Sequence, residues 1–443
     1  MINNRKLGCL EQAMENLNRR AKTWNIVTIS RIKGPLREGI IREALDMIQD
    51  RHPRLNSHIV SVRNTLHFQT EGTAKIPLRV VEKLAHEQWT EVVEEEMNQE
   101  IDSCECLMRS VLVHIQSHSY DNYLITTLHH AVADGLSSMG LHSEILTYCQ
   151  QIVSGKLIYL TSLQPLQPIE ALLPRWTQKL TGKISSTLLL LKLGVQKIWH
   201  RPQTLGFDKY VPIAQRRCNI IHRQLDQQLT QQLVNNCRQA NITVNSALCA
   251  LMMLIIAKKI TRNRTKNIRV NCLSYFDVRR HLEPKISDQD MAVLASSIME
   301  FYTIQTDTCF WELAREVKQK LEASTKRNDI FKMILIAKHL INYSLTYPKQ
   351  VAATVSLSNA GRVNIPKLYG EFELEEISFL GSHALYAGMF ITHASTFEGK
   401  MLLNFVFSEP AISRQNMETL VNELISDIIY VSELKFVPSL TKR

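Results

Sequence analysis

A short apolar run, Tyr123-Leu124-Ile125-Thr126-Thr127-Leu128, stops abruptly at His129-His130-Ala131-Val132-Ala133-Asp134-Gly135. Its length and its apolar and β-branched side chains read as a buried strand, so a turn carrying two imidazoles and a carboxylate must sit at the strand's end. Any fold for this chain has to place that turn where a central strand stops. Histidine suits general-base work because its unperturbed pKa lies close to neutral pH. Asp134 can fold back through the turn and fix its geometry, and Gly135 permits the bend. The plainer alternative is a pair of histidines satisfied at a strand end, with an Asp that only caps the next helix. Proton abstraction from a nucleophile is the expectation carried forward.

The surrounding pattern interleaves strands and helices. Asn25–Lys33 alternates and is β-branched, Leu36–Asp50 is helical, Leu66–Gln69 is a short strand and Trp89–Gln99 is helical again. Met108–Gln116 and Tyr123–Leu128, separated by the polar Ser117–Asn122, predict an antiparallel pair. After the turn, Ser137 or Ser138 can cap a helix whose Leu141, Ile145 and Tyr148 recur at i, i+4 and i+7. In the second half the pattern predicts a strand from Cys218, a helix Thr230–Ala240, a buried helix from Val244 and a strand Val270–Phe276. Helices Asp307–Thr325 and Phe331–His339 follow, then strands Val351–Ser356 and Leu402–Phe407 and a last helix Arg414–Val431. The fold class is therefore α/β, each half forming one α/β layer sandwich. The expected division is a first lobe over 1–170, a crossover segment over 171–217 and a second lobe over 218–443.

At 443 residues there is room for two domains of about 200 residues. Apolar content of 45% and charged content of 21% place the chain among ordinary globular proteins. No uninterrupted apolar stretch of about 18 residues predicts a spanning helix, and Met1–Lys6 lacks the apolar core of a secretion signal. Nine cysteines at irregular spacing, with Cys249 and Cys272 in apolar segments, suit reduced thiols and a cytoplasmic location. Cys104 and Cys106 lack a second ligand pair, so no metal is expected.

The formal net charge of +10 allows contact with phosphorylated cofactors, acidic proteins or anionic membranes. Its densest cluster, Lys258, Lys259, Arg262, Arg264, Lys266 and Arg269, reads either as a solvated helix end or as a recognition site for an acidic carrier protein or coenzyme A phosphates. No aromatic-interleaved basic stripe accompanies it, which argues against nucleic acid. Arg175–Arg201 also has two readings. A crossover helix packed on the body is favoured, and a basic amphipathic element resting on a membrane is the alternative.

The His-His-x-x-x-Asp-Gly stretch resembles the signature of the condensation-domain and chloramphenicol acetyltransferase-like acyltransferase superfamily. The likeness extends to Leu7-Gly8 through Glu11, Ala44-Leu45, Arg51-His52-Pro53-Arg54-Leu55 and Leu107-Met108-Arg109, where Cys106 stands in place of the usual proline. It continues through Thr243–Leu248, Asp277-Val278-Arg279-Arg280 and Ser358-Asn359-Ala360-Gly361-Arg362, the last resembling the dimycocerosyl transferase branch. The plant acyltransferase block Asp-Phe-Gly-Trp-Gly is absent.

The resemblance implies two acetyltransferase-like lobes in a V with a tunnel between them and the motif near its middle. It implies His130 as general base, His129 as an orienting residue, and a structural Asp134 paired with an arginine of the other lobe, for which Arg279 is the candidate. Gly135 would keep the tunnel wall open. Ser358, Asn359 and Arg362 would shape the tunnel or bind substrate, although Asn-Ala-Gly is also ordinary turn chemistry.

No bound cofactor is expected. An acyl-CoA or acyl carrier protein thioester is the co-substrate and a small molecule or lipid the acceptor. No Gly-x-Ser-x-Gly elbow, P-loop or dinucleotide fingerprint supports another enzyme class. The expected activity is O- (or N-) acyl transfer. A free-standing condensation domain making amide bonds is one alternative, and a non-catalytic carrier-binding scaffold is another. Two fused lobes imply a monomer.

Overall fold

The structure, a computed structural model, describes residues 4–117, 120–261 and 267–433. Arg262, Arg264 and Lys266 of the basic cluster, His118 and Ser119 of the polar stretch, and Met1–Asn3 of the N-terminus lie outside the described residues.

The first half contains β1 (Arg5–Lys6), α1 (Cys9–Ala21), β2 (Ile26–Lys33), α2 (Glu38–Arg51), β3 (His58–Val62), β4 (Thr65–Gln69), β5 (Leu78–Lys83), α3 (Trp89–Met97), β6 (Met108–Ile115), β7 (Asp121–Leu128) and α4 (Gly135–Val153). The crossover holds α5 (Ile169–Leu172) and α6 (Leu180–His200). The second half contains β8 (Arg217–Leu225), α7 (Gln227–Gln239), α8 (Val244–Thr261), β9 (Ile268–Asp277), β10 (Ala295–Ile304), α9 (Phe310–Lys326) and α10 (Asp329–Thr346). It closes with β11 (Val355–Arg362), β12 (Leu368–Tyr369), β13 (Phe372–Gly381), β14 (Phe390–Phe397), β15 (Lys400–Glu409) and α11 (Arg414–Glu433).

Two six-stranded sheets, each packed with helices, form two mixed α/β lobes. The first runs β12-β13-β2-β7-β6-β5 and the second β10-β9-β11-β14-β15-β8, with a small β1-β4-β3 sheet at one side. Strand β7 is buried along its whole length, which is why its Tyr123–Leu128 stretch shows no polar alternation. Its two threonines are satisfied internally. Thr127 donates to the Glu96 carboxylate at 2.8 Å, and the Thr126 hydroxyl bonds His142 Nε2 at 2.7 Å. Helix α8, apolar on every side, is the core helix of the second lobe, with Ser246 to Met253 all buried.

The first sheet is not built from the first half alone. Strand β13 pairs antiparallel with β2 from Gly381–Ile26 to Glu373–Lys33, so a strand of the second half closes the edge that β2 would otherwise leave bare. The simple division at residue 218 does not hold for the sheets, because this partner lies some 350 residues away and no local pattern names it. The lobes also share a second core, in which Trp89, Val92 and Val93 of α3 pack with Cys218, Ile220 and Val406. There the Asn98 amide exchanges two 2.8 Å hydrogen bonds with the Cys218 backbone.

A chain ending at residue 217 is therefore expected to aggregate or to bind a hydrophobic dye as a loosely packed state. Recovery of that fragment as a monodisperse, cooperatively unfolding protein would overturn the strand-exchange account.

Candidate active site

The turn after β7 is held from both sides. The His129 N–H donates to Leu107 O at 2.9 Å, continuing the ladder one residue past the strand. The ring of His129 is fully buried, its Nδ1 accepts the Ala131 N–H at 3.1 Å, and its Nε2 donates to the Glu15 carboxylate at 2.8 Å. Glu15, on α1, also accepts from Ser103 Oγ at 2.7 Å and pairs with Arg19. Burial alone would raise the Glu15 pKa, but the hydrogen bond from His129, then Ser103 and Arg19, outweigh it and hold it at about 2. His129 is thus fixed in one tautomer and cannot turn toward a substrate.

His130 is held differently. Its Nδ1 lies 2.6 Å from Ala133 O, and a carbonyl only accepts, so Nδ1 carries the proton. The lone pair of the neutral ring is then at Nε2, which has no hydrogen-bond partner in another residue among the described residues. Burial lowers the His130 pKa below its ordinary 6.5, against the opposing pull of the Ala133 bond and the Asp134 charge. The imidazole is therefore neutral at pH 7.

Asp134 makes three kinds of contact with one carboxylate. Its Oδ1 accepts the Ser137 N–H at 2.9 Å while the Ser137 hydroxyl accepts the Asp134 N–H at 2.9 Å, a reciprocal cap on α4. Asp134 is the capping residue rather than Ser137 or Ser138, with Ser137 as its partner in the first turn. The same Oδ1 lies 2.8 Å from Arg279 Nη2, and Oδ2 accepts the Leu294 N–H at 3.0 Å. Burial would raise the Asp134 pKa, but Arg279 and Ser137 depress it. Arg279 is buried as well and completes its fork on Asp277 at 2.8 Å. The structure thus pairs Asp134 with Arg279 across the lobes.

Gly135 differs from its expected place. It does not line the cavity described next; a Cβ there would stand 2.4 Å from the Phe379 ring of β13. Glycine is needed because the strand shared between lobes crosses directly over the start of α4.

A cavity of about 730 Å³ opens beside His130. Trp24, Tyr275 and Tyr386 line it near His130, with the Trp24 ring edge-on to His130 at 6.2 Å and stacked on Tyr386 at 4.8 Å. Leu190 and Leu193 of α6, Met299 of β10 and Met333 of α10 extend it as an apolar chamber. First-half and second-half residues therefore share one cavity, with His130 among its few polar groups. Ser358, Asn359 and Arg362 are not brought to it. They lie on β11, past its pairing with β9, where Asn359 Oδ1 accepts the Gly361 N–H at 2.9 Å around an irregularity in the ladder with β14. The Asn-Ala-Gly stretch is thus a strand irregularity rather than a turn, and Gly361 supplies its positive φ of 70°.

Two family models match the chain in sequence: Condensation domain over residues 12–168, and Phthiocerol/phthiodiolone dimycocerosyl transferase C-terminus over 214–406. Together they take in most of the chain, in the order the two lobes require. The chain belongs to the condensation-domain and chloramphenicol acetyltransferase-like superfamily. Polyketide synthase associated protein 5 from Mycobacterium tuberculosis is similar in structure, at 16% identity over 97% of this chain and 98% of that one, with a TM-score of 0.70. Trichothecene 15-O-acetyltransferase from Fusarium sporotrichioides gives 11%, 97%, 96% and 0.75. The first condensation domain of the calcium-dependent antibiotic synthetase, solved with a substrate analogue, gives 11%, 97%, 96% and 0.69. At these identities the likeness to solved structures speaks for the fold. Sequence comparison with curated proteins gives no match.

For this member of the superfamily, the motif alone leaves out Glu15, Trp24, Tyr275 and Tyr386. Glu15 has a sequence signal: with Glu11 and Asn18 it interrupts the buried side of α1, otherwise Leu10, Ala13, Met14, Leu17 and Ala21. A carboxylate on an apolar stripe needs a buried partner. The aromatic residues carry no such signal, since aromatics at element ends are ordinary core.

Removing one partner of a buried ion pair costs about 3–5 kcal/mol, whereas an exposed pair contributes about 1 kcal/mol or less. Arg279→Ala should therefore lower unfolding stability in urea by about 3–5 kcal/mol, and Lys75→Ala, which breaks the exposed pair with Asp46, by about 1 kcal/mol or less. Arg279→Ala combined with Asp134→Asn should cost clearly less than the sum of the two single changes. Equal losses for Arg279→Ala and Lys75→Ala would remove the pair from this role.

Proposed function

We propose that the protein is an acyltransferase that moves an acyl group from a CoA or carrier-protein thioester to a hydroxyl (or amine) acceptor, with His130 as general base. The observation that carries this reading is the state of His130. It is neutral at pH 7, committed through Nδ1–H to Ala133 O, and offers the lone pair of Nε2 beside a large apolar cavity. In the reaction, Nε2 takes the acceptor's proton as its oxygen attacks the thioester carbonyl. The tetrahedral intermediate collapses, the C–S bond breaks, and the leaving thiolate takes the proton from His130. A thioester is already activated, so no covalent enzyme intermediate and no bound cofactor are required. Family membership supports transfer chemistry of this class. The condensation-domain match over 12–168 supports a second reading, amide formation between carrier-bound partners. One thioester donor offered alcohol and amine acceptors side by side separates the two.

His130→Ala is expected to lower kcat/KM by about 10²–10⁴-fold with folding intact, the range for a positioned general base. Undiminished turnover by the folded variant would refute the mechanism.

The base must be neutral, and its pKa is depressed, so activity should persist as pH falls to 6.5 and be lost below it. The acid limb of kcat/KM against pH is the measurement. An inflection above 6.5 would assign the limb to another group.

A further inference from the structure

Helix α6 has two unlike sides. Gly182, Ser186, Leu189 and Leu193 are buried, the two leucines packed with Phe301, Met333 and Ile336 and Gly182 against the Thr177 backbone. Leu180, Ile184, Leu188, Leu191, Val195, Ile198 and Trp199 are all exposed, with Leu180 at 72%, Ile198 at 69% and Trp199 at 80%. At about 100° per residue these seven fall within an arc of about 100°, opposite the buried residues at about 180–240°. The exposure is thus one continuous apolar stripe along a 21-residue helix rather than scattered single residues.

The charge around the stripe has one sign. Between Glu170 and Asp208 there is no carboxylate side chain, while Arg175, Lys179, Lys183, Lys192, Lys197 and Arg201 are all cationic. Lys183 and Lys192 flank the stripe on either side and are exposed. A second copy of the chain seated on this face would bring the two cationic sets together, which opposes self-association. An apolar face flanked by lysines, with a tryptophan at one end, has the chemistry that seats a helix at an anionic bilayer interface. The cavity reaches the surface at the same place: Gly194 and Ile198 of α6 and Tyr343 of α10 line it and are themselves exposed.

We propose that the outward face of α6 seats the protein on an anionic lipid surface, with the open side of the His130 cavity turned toward that surface. The docking stands apart from the reaction. Its consequence for the substrate rests on the acyl-transfer reading: an acceptor or acyl chain dissolved in the lipid enters the apolar chamber without crossing water.

The test is flotation of the purified full chain with phosphatidylcholine vesicles, with and without phosphatidylglycerol. Native protein should float with the anionic vesicles and much less with the neutral ones. The triple variant Ile184→Glu, Leu188→Glu, Leu191→Glu should lose about tenfold or more of the bound fraction. These side chains are exposed and outside the cavity, so its melting temperature and its transfer to a water-soluble acceptor should stay native. His130→Ala should float as native protein does. Failure of native protein to float, or equal flotation by the triple variant, overturns the proposal. So does a native dimer that the triple variant makes monomeric, or capture of an acidic carrier protein by this face without lipid binding. Flotation that persists while His130→Ala still transfers at the native rate would discard the reaction and leave the docking in place.

Discussion

The buried carboxylate of Asp134 ties together the start of α4, the guanidinium of Arg279 and the backbone at Leu294. The first belongs to one lobe and the other two to its partner. A carboxylate so far from water is tolerated only when its lone pairs are occupied and its charge is matched, and here both conditions are met. The consequence is geometric. The residues between Leu128 and Asp134 are pinned at one end by the β-ladder and at the other by this pair, so the turn that carries His130 has little freedom left. The ring of His130 then closes on Ala133 O inside that same turn. One ion pair therefore fixes the relation of the lobes and, through five residues of backbone, the tautomer of His130.

The two adjacent histidines show how a single strand end divides labour. Successive side chains at a strand end point to opposite sides. His129 points into the first lobe, where Glu15 fixes it, and His130 points into the space between lobes. The burial that depresses the pKa of His130 keeps its ring neutral, the form that the proposed transfer requires. The low-lying Glu15 sits on the far side of His129, so its charge is spent on orientation rather than on raising the basicity of His130. Phe379 adds a steric condition, since the strand it lies on crosses close enough over Gly135 that any side chain there would push it away.

Much of this was legible in the chain because periodicity reports burial. The β6–β7 pair, α4 and the apolar α8 follow from runs of two kinds of spacing, and the turn follows from where one run stops. Residues that act through distant partners were less legible. The resemblance pairs Asp134 with Arg279, and the structure does so; the sequence offers Asp134, Ser137 and Ser138 alike as caps of α4, since all are good N-cap residues, and only the structure chooses Asp134. The resemblance gives Gly135 the task of opening a tunnel, whereas its neighbour is a phenylalanine more than 240 residues on. The resemblance offers Ser358, Asn359 and Arg362 as tunnel or substrate residues, and Asn-Ala-Gly is also ordinary turn chemistry, but strand β14 on their flank draws them into the sheet and away from the cavity. The same limit hid β13 in the first sheet: strand identity is local, and strand partnership is not.

The contrast between the turn and the cavity explains why such a chain declares its chemistry more readily than its substrate. The proposed proton transfer needs one nitrogen held within hydrogen-bond reach of the acceptor, and seven consecutive residues with two distant anchors are enough to hold His130 in place for it. The chamber is made by side chains from α1, α6, β9, β10 and α10, elements spread over more than 330 residues of sequence, and its mostly apolar lining contributes volume and shape rather than specific bonds. Substituting one apolar residue for another at any of these positions alters the chamber by a few methylenes and leaves the Asp134–Arg279 junction untouched. The shape of the chamber can therefore drift while His130, its tautomer and the lobe contact stay fixed. The exposed stripe on α6 belongs to the same logic, because the helix that walls the chamber with Leu190 and Leu193 also carries the apolar face that meets solvent. Changes that widen the chamber and changes that alter what the outer face touches fall on one helix, so the two are free to vary together.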